Sequence, residues 1–388
     1  MKVIIYLDAA ATSQPRKEVV EAMLPYLTES WYNPSSLYSP ARKVADKIKE
    51  CRGIIANYIN ADPEEIYFTS GGSESNSWAI QGFVNCYKAY QSTVITSNIE
   101  HKSIFECLRN THTIWSKVGV DRWGFIDKSE LESYLRAEIC CPSLVSIQYA
   151  NSEIGTVQDI KGISEIVHSY DEIFHTDATQ YFGRGKIDVK EQGIDMLTAS
   201  GHKLGVPKGI GFLYIKKGIE IKPLIYGSQN NGMRGGTENV AGIVGLAKVI
   251  ELIQKERKEY RNIYRKDYNT AIMEKNILFF EKLKNRFNCR LNGSGFYNRL
   301  PNNLNITFPQ NIAGESLIYL LDSAGICISS GSACNSRSNV PSPTLKAIGL
   351  TDEEIMRTIR ITFPDDITEE EMDKVIEEID KAIKLINR

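Results

Sequence analysis

The sequence predicts an α/β protein whose larger part is built on a mostly parallel central sheet and whose C-terminal part is a smaller α+β unit. From about residue 64 to 216, short β-branched runs alternate with helical patterns, which is typical of strand-helix-strand units. Near the C-terminus the pattern changes to three strands followed by one long amphipathic helix. A length of 388 residues also fits two domains of roughly 150 residues or more each.

The larger part is expected to contain six strands, at residues 65–69, 93–97, 144–150, 173–176, 196–199 and 211–215. Residues 160–170 predict one of the helices between them, because Ile163, Ile166 and Val167 share a face. Residues 240–286 indicate a long amphipathic connector with one break. The smaller part has strands predicted at NLNITF, GICISS and RTIRITF, and a final helix with a capping box from Thr368 to Glu371.

The composition excludes several classes of protein. Lys plus Arg number 46 against 48 Asp plus Glu, so the concentrated basic charge of a nucleic-acid or acidic-membrane binder is absent. The N-terminus lacks a secretory pattern and no apolar run is long enough to span a membrane, so we expect a soluble, cytoplasmic protein. Eight Cys without a CxxC pair argue against a disulfide framework and against a metal site.

Residues with chemical function follow the predicted strands of the larger part. Five of these strands are followed, in chain order, by the segments TSGGSESN, SNIEHK, NSEIG, DATQ and SGHK. Ligands of open α/β sheets bind beyond the carboxyl ends of the strands, so these segments are expected to meet in one crevice.

The glycine-rich turn TSGGSES lies directly before a helical run, where backbone N–H groups are able to hold an anion. It has neither the GK[ST] of a P-loop nor the GxGxxG spacing of a dinucleotide site. A site for a single phosphate therefore stays open. The alternative is a turn before an ordinary capped helix.

Asp177, Lys203 and His101 complete a set that pyridoxal 5′-phosphate needs. Asp177 is able to keep a pyridine nitrogen protonated, and Lys203 to form a Schiff base with an aldehyde. His101 is able to stack on the ring and move protons. Each residue alone has a more ordinary explanation, as a surface lysine or a structural histidine. The combination with a phosphate site favours the cofactor.

Cys334 lies in a segment, ISSGSACNSRSNVPSP, that is almost free of large apolar residues. Such a segment is expected to be an exposed loop, and a core cysteine does not belong there. Arg337 nearby favours the thiolate. The sequence therefore indicates a reactive thiol, with an incidental surface cysteine as the alternative.

The chain resembles the pyridoxal-phosphate cysteine desulfurases of the fold type I aminotransferase superfamily, over nearly its whole length. The matching segments are YLDAAATS, NPSS, FTSGGSESN, IEHKS, NSEIGTVQDI, HTDATQ, SGHKLGVPKGIGFLYI, GMRGGTENV and SSGSAC followed by IRITF. We expect a large cofactor-binding domain at residues 15–256 and a small domain at residues 1–14 and 257–388. The small domain would carry the cysteine loop, at about residues 328–343.

The resemblance implies a role for each matching position. Lys203 would bind the cofactor covalently, Asp177 would pair with the pyridine nitrogen, and His101 would stack on the ring and transfer protons. Arg360 would hold the substrate carboxylate, with Asn33 nearby, and Cys334 would be the nucleophile. The other cofactor contacts within the subunit would come from Gln180, Gly72, Ser73, Ser200, His202 and Ser152. In a homodimer, Thr237 would contact the cofactor of the other subunit.

The implied reaction converts L-cysteine to L-alanine and leaves the sulfur on Cys334 as a persulfide. A sulfur-acceptor protein would then take it, because the loop is similar to the long-loop class that serves iron-sulfur cluster assembly and thiolation of transfer RNA or cofactors. Ala9, Tyr38, Asn230 and Ser152 depart from the family pattern. Ser152 is shorter than the usual Asn, so Gln180 or a water would supply its contact to the ring oxygen.

Two other functions stay open at this point. A related pyridoxal-phosphate enzyme, such as a selenocysteine lyase or an aminotransferase, would not need Cys334. A non-catalytic partner in a sulfur-carrier complex would not bind the cofactor, so the purified protein would be colourless.

Overall fold

The computed structural model describes residues 4–87, 92–137, 141–309, 312, 314–330 and 341–386. A seven-stranded sheet forms the centre of the larger part, with strand order β2-β8-β7-β6-β5-β3-β4. Strand β8 runs antiparallel to both of its neighbours, and the remaining pairs are parallel. The mostly parallel sheet predicted from the sequence is therefore confirmed. Its strands are β2 (Ile66–Thr69), β3 (Thr93–Ser97), β4 (Ile114–Val118), β5 (Ser143–Ser146), β6 (Ile173–Asp177), β7 (Met196–Ser200) and β8 (Gly211–Ile215).

Helices cover both faces of this sheet. Leu197 and Phe212 pack on one side with helices α2 and α7, whereas Met196 and Leu213 pack on the other side with Trp78 of α3. The central strands β3, β5, β7 and β8 are buried along their whole length, as expected for strands covered on both faces. The helices are α1 (Lys17–Thr28), α2 (Ser39–Ile59), α3 (Gly72–Cys86), α4 (Lys102–Arg109), α5 (Lys128–Ala137), α6 (Ile160–His168), α7 (Val240–Tyr264), α8 (Tyr268–Phe287), α9 (Gly314–Ser323), α10 (Pro343–Ala347), α11 (Asp352–Met356) and α12 (Glu369–Ile386).

The smaller part contains an antiparallel sheet of order β12-β13-β10-β9 and a parallel pair formed by β1 and β11. Its core joins Leu7 from the N-terminus to Phe279, Leu304, Ile361 and Val375. This core is separate from those of the larger sheet, which supports the division into two domains. The boundaries at residues 15–256, 1–14 and 257–388 stay a prediction. The strands are β1 (Ile5–Tyr6), β9 (Arg290–Leu291), β10 (Asn303–Thr307), β11 (Ile326–Cys327), β12 (Ser329–Ser330) and β13 (Thr358–Thr362).

The structure differs from the sequence-based strands at several places, and it adds the two-residue strands β1 and β9, which were not predicted. Strand β4 was not predicted, because it is an edge strand whose partly exposed residues show no apolar alternation. The strand predicted at residues 144–150 ends at Ser146. Pairing with β3 stops there, because Gln148 N–H donates to the Glu100 carboxyl, although Ile147 and Tyr149 N–H still donate to carbonyls of β6. GICISS forms two short strands, which pair with different partners, β1 and β13.

Two predicted helical features are confirmed. The connector at 240–286 is two helices, α7 and α8, with Arg265 in a left-handed conformation at the break. Thr368 accepts from Glu371 N–H, and the Glu371 carboxylate accepts from Thr368 N–H, so the capping box of α12 is present.

The N-terminal chain passes from the smaller part to the larger part over residues 8–13, which we name the crossing segment. At its start, Ala9 N–H donates to the Thr362 carbonyl of β13. At its end, Ser13 N–H donates to the His202 carbonyl, beside Lys203. The crossing segment therefore lies at the carboxyl end of β7. Among the described residues, no helix is long and apolar enough to cross a membrane.

Candidate active site

Lys203 ends a short turn, Gly201–Lys203, that directly follows strand β7. The side chain is half-buried, and its Nζ donates to the carbonyl oxygens of Ala10 at 2.5 Å and Ala11 at 2.7 Å. A cleft lined by Ala9, Ala10, Gln180, Arg184, Lys203, Leu204, Leu300, Asn302 and Thr362 opens beside it. The amine thus faces a protein cleft and not bulk solvent.

Asp177 is the last residue of β6 and is buried. One carboxylate oxygen accepts from Asn76 Nδ2 at 2.7 Å, and the other accepts from Thr179 N–H at 2.9 Å. Both of these donors are neutral groups. Neutral donors leave the carboxylate able to attract a further cation at its side.

His101 caps the N-terminus of α4, after strand β3. Its Nδ1 lies 3.2 Å from Ser103 N, which donates to it, and 2.8 Å from Ser103 Oγ. Ser103 Oγ in turn accepts from Asn76 Nδ2 at 3.0 Å. His101 and Asp177 are therefore connected through two intervening side chains.

Glu100 lies one residue before His101 and is buried. Its Oε1 accepts from Ser97 Oγ and from Gln148 N–H, so the carboxyl holds the loop that carries His101. Burial raises the pKa of Glu100 to about 8. The carboxyl is therefore mostly protonated at neutral pH.

The glycine-rich turn opens helix α3 at the same end of the sheet. Gly71 has φ +151° and Gly72 is the first helical residue. A Cβ on Gly72 would lie 2.8 Å from Thr179 Oγ1, and Ser200 lies just beyond it. Ser73, the next residue, is exposed. The missing side chain leaves a small concavity bounded by hydroxyls and by the N-terminus of a 15-residue helix.

His202 precedes Lys203 and is half-buried, with its Nδ1 3.2 Å from Thr12 Oγ1. Burial, together with the charges of Lys203 and Lys208, lowers the pKa of His202 to about 4. The imidazole is therefore neutral at pH 7. A neutral imidazole beside Lys203 adds a hydrogen-bonding group without adding a second positive charge.

Gln180 contacts the crossing segment directly, whereas Ser152 is connected to it through Arg360. Gln180 Nε2 donates to the Ala10 carbonyl at 3.1 Å, so it shares that acceptor with Lys203. The Ser152 carbonyl accepts from Arg360 Nη1 at 3.2 Å. The contact expected between these side chains and a ring oxygen stays a prediction.

Arg360 lies in β13 and is 3% exposed. Its Nη2 donates to Asp8 Oδ1 at 2.6 Å, and its Nε is buried with no hydrogen-bond partner among the described residues. The residue predicted to hold the substrate carboxylate is thus already paired with an acidic side chain. One of its donor groups is still unused by the described chain.

Asn33 and Thr237 are exposed and lie outside this cluster of contacts. Asn33 Oδ1 accepts from Ser35 N–H, and no described hydrogen bond joins it to Arg360. Thr237 follows Arg234, whose guanidinium pairs with Glu74 of α3 at 2.9 Å. That ion pair ties the Thr237 segment to the helix with the glycine-rich turn.

Cys334 lies outside the described residues, as does most of the loop predicted at 328–343. Its role is argued from the sequence alone. The six cysteines described as free are Cys51, Cys86, Cys107, Cys141, Cys289 and Cys327. Among the described residues, no group of three or more His, Cys, Asp or Glu is arranged to hold a metal ion.

The residues present fit pyridoxal phosphate. Thr179 Oγ1 is buried without a hydrogen-bond partner among the described residues, and it borders the concavity at Gly72. A phosphate bound there would accept hydrogen bonds from this hydroxyl and from the N–H groups at the start of the helix. Asp177 and Lys203, at the ends of the neighbouring strands β6 and β7, supply a carboxylate and an amine beside it.

Sequence reasoning missed three residues of this site. Asp8 accepts from Arg360, Asn76 donates to Asp177, and Thr179 borders the concavity at Gly72. Thr179 was detectable, because it follows Asp177 by two residues at the same strand end. Asp8 and Asn76 lie in segments that match the family, but their contacts were not predictable, since their partners lie 352 and 101 residues away.

Comparisons with known proteins identify the family of this chain. The family model described as Aminotransferase class-V matches residues 5–375. A cysteine desulfurase IscS of Methanosarcina thermophila is 41% identical over 384 residues, which are 98% of this chain and 92% of that protein. The solved structure of a NifS-like protein has a TM-score of 0.89 at 30% identity, covering 99% of this chain and 100% of that one.

A second solved structure, described as SspA in complex with cysteine, has a TM-score of 0.80 at 36% identity and covers 94% of this chain and 99% of that one. Both the family model and the relatives extend across the larger and the smaller part. The chain belongs to the class-V aminotransferase family, in its cysteine desulfurase branch.

Proposed function

We propose that this protein is a pyridoxal-phosphate-dependent cysteine desulfurase that converts L-cysteine to L-alanine and collects the sulfur on Cys334. The observation that carries the proposal is the meeting of Lys203, Asp177 and the Gly72 concavity at one end of the sheet. The similarity to cysteine desulfurases over nearly the whole chain supports the substrate and the reaction.

The cofactor would be held by groups that differ in charge and position. The helix N-terminus at Gly72 and Ser73, with Ser200 and His202, would bind its phosphate, and Asp177 would pair with its ring nitrogen. Gln180 and Ser152 would lie near the ring oxygen. Lys203 would attach the cofactor covalently.

When bound, pyridoxal phosphate supplies an electron sink for the α-carbon of an amino acid. The protein's own residues orient the substrate and move protons. Arg360 would hold the substrate carboxylate, with Asp8 limiting its net positive charge and keeping its guanidinium in place. Lys203 and His101 would carry protons to and from the substrate carbons. Asn33 would lie near the same carboxylate.

Cys334 would take the sulfur directly from the substrate. Its thiolate attacks the substrate sulfur, an S–S bond forms, and the bond between that sulfur and the substrate β-carbon breaks. The β-carbon gains a proton and alanine leaves. The net change is a thiol plus cysteine giving a persulfide plus alanine, so no further oxidant or reductant is required.

A homodimer would complete the site through Thr237 of each subunit. An aromatic patch formed by Trp31, Tyr32 and Tyr38 supports this part of the proposal. Trp31 stacks on Tyr32 with ring centroids 5.0 Å apart, yet Trp31 is 69% exposed. A large exposed tryptophan beside other aromatic rings is typical of a protein interface.

A sulfur-acceptor protein would remove the persulfide sulfur from Cys334. The relatives named IscS support a role in iron-sulfur cluster assembly, with thiolation of transfer RNA or cofactors as further destinations. The cytoplasmic location expected from the sequence stays a prediction.

Two substitutions test the function. Lys203→Ala should abolish the visible absorption band of the bound cofactor, which a non-catalytic carrier protein would lack from the start. Cys334→Ser should keep that band but stop the release of sulfide from L-cysteine. A Cys334→Ser enzyme that releases alanine and sulfur at the wild-type rate would instead identify a lyase or aminotransferase that does not use this thiol.

A further inference from the structure

Asn76 links Asp177 to Ser103 at the centre of the site. Its side chain is 1% exposed, and Nδ2 lies 2.7 Å from Asp177 Oδ2 and 3.0 Å from Ser103 Oγ. A carboxylate only accepts hydrogen bonds, so the Asn76 group that faces it must be the amide NH2. The same nitrogen then donates its second proton to Ser103 Oγ.

The same order of donor and acceptor continues from Ser103 to His101. Since Ser103 Oγ accepts from Asn76, its own proton is available for His101 Nδ1 at 2.8 Å. Ser103 N–H also points at Nδ1, at 3.2 Å. A nitrogen that faces two donors must itself be the acceptor, so the proton of the neutral imidazole lies on Nε2.

We propose that Asn76 and Ser103 are positioning residues, which transmit the orientation of the Asp177 carboxylate to His101 and hold its imidazole with Nδ1 as acceptor and Nε2 protonated. Neither residue touches the reacting atoms. The chemical consequence rests on the proposed function. In that reaction, His101 would first donate the proton that it carries on Nε2. The hydrogen-bond chain itself does not depend on that function.

Nitrogen NMR of the histidine rings tests the chain in the full-length protein, with and without pyridoxal phosphate. The protein has five His, so His101→Gln identifies the His101 signals. We expect a protonated Nε2 and an unprotonated, hydrogen-bonded Nδ1. In Ser103→Ala the chemical shift of Nδ1 should move towards that of a ring nitrogen without a hydrogen bond from a hydroxyl. Ser103→Thr should restore the wild-type chemical shift.

Ser164→Ala is the matched control. Ser164 is a buried serine of α6 whose hydroxyl donates to the Gln192 carbonyl at 2.6 Å, far along the chain from this site. It should leave both His101 signals unchanged. A proton on Nδ1 in the wild type, or His101 signals that ignore Ser103→Ala, would overturn the inference.

Double substitutions separate positioning from general stability. Asn76→Leu should shift the His101 Nδ1 signal, but not in a protein that already carries Ser103→Ala. If the loaded enzyme is active, Ser103→Ala should lower kcat about fivefold with little change in KM, which is the loss expected for one hydrogen bond. That loss should disappear in the His101→Gln background, and an undiminished loss there would contradict the proposal.

The two proposals fail in different ways. Expected His101 signals without any release of sulfide would refute the desulfurase function alone. Sulfide release with His101 protonated on Nδ1 would refute the positioning role alone. If Asn76→Leu does not fold, the Ser103 variants still decide the question.

Discussion

Glu100 is buried beside the residue that is expected to move protons, and its acidity differs between the folded and the unfolded chain. Burial holds the pKa of the folded carboxyl at about 8, whereas an exposed glutamate has a pKa of about 4.5. The folded state therefore binds more protons than the unfolded state between these values. Stability conferred by Glu100 is complete below about pH 4.5 and is lost as pH rises towards 8.

Glu100→Gln should remove this dependence, because the amide keeps an oxygen to accept from Ser97 and Gln148 and has no proton to release. From pH 6 to pH 8, the wild type should lose about 2 kcal/mol of unfolding free energy relative to the variant. Urea denaturation of the cofactor-free protein at the two pH values measures the difference. The exposed Glu106→Gln serves as the control and should show no such change. Parallel pH profiles for wild type and Glu100→Gln would contradict a raised pKa.

Single residues also show which features of the site the sequence alone predicts. The positions of Lys203 and Asp177 were predictable, because Asp177 ends one predicted strand and Lys203 closely follows the next, at the edge where a parallel sheet places its ligands. The pairing of Arg360 with Asp8 was not, because it needs the N-terminus to lie beside β13. Local patterns carry no information about a contact between the two ends of the chain.

Helix α3 and the turn before it form the element that would receive the phosphate. Gly71 has a backbone conformation that L side chains rarely adopt, and Gly72 has no room for a Cβ beside Thr179. The sequence indicated a single-phosphate site but left an ordinary capped helix equally possible. The structure adds the converging hydroxyls of Thr179 and Ser200, which favour the anion.

Gly72→Ala should weaken binding of pyridoxal phosphate about tenfold, because the new methyl group would occupy the concavity 2.8 Å from Thr179 Oγ1. Titration of the cofactor-free protein, followed by absorbance, measures the dissociation constant. Gly53→Ala is the control, since a Cβ there meets nothing within 4 Å inside helix α2. It should stabilise the fold by about 0.5–1 kcal/mol and leave the dissociation constant unchanged. Equal affinities for Gly72→Ala and the wild type would place the phosphate elsewhere.

The exposed edge strand β4 was the least predictable strand of the central sheet, whereas the mostly buried edge strand β2 was predicted. Strand β4 pairs in parallel with β3 along five residues, yet its side chains are mostly outside the core. Sequence patterns detect strands through burial, so an edge strand gives a weak signal. The division of GICISS between two sheets likewise depends on partners far along the chain.

The whole molecule joins two cores through the crossing segment at residues 8–13, beside Lys203, Gln180 and Arg360. The site therefore uses residues of both the larger and the smaller part. We propose that self-association completes it, with the aromatic patch of Trp31, Tyr32 and Tyr38 at the interface. The patch was not singled out by sequence analysis, because exposure is visible only in the folded chain.

Trp31→Glu should weaken self-association about 30-fold or more, because an interface tryptophan that is replaced by a charge loses its buried apolar contacts. Light scattering over a concentration series should show a wild-type dimer that dissociates in the variant. Trp123→Glu is the control, because Trp123 is also exposed, at 45%, and its ring lies against Arg122. A monomeric wild type, or a Trp31→Glu protein that stays as dimeric as the control, would contradict this interface.

Mass spectrometry of the peptide that contains Cys334, after incubation of the cofactor-loaded protein with L-cysteine, tests the central claim most directly. We expect one added sulfur atom on Cys334 together with one alanine released per subunit, and neither in Lys203→Ala. Alanine formation with the added sulfur on another residue, or with no sulfur retained on the protein, would contradict the assignment of Cys334 as the acceptor thiol.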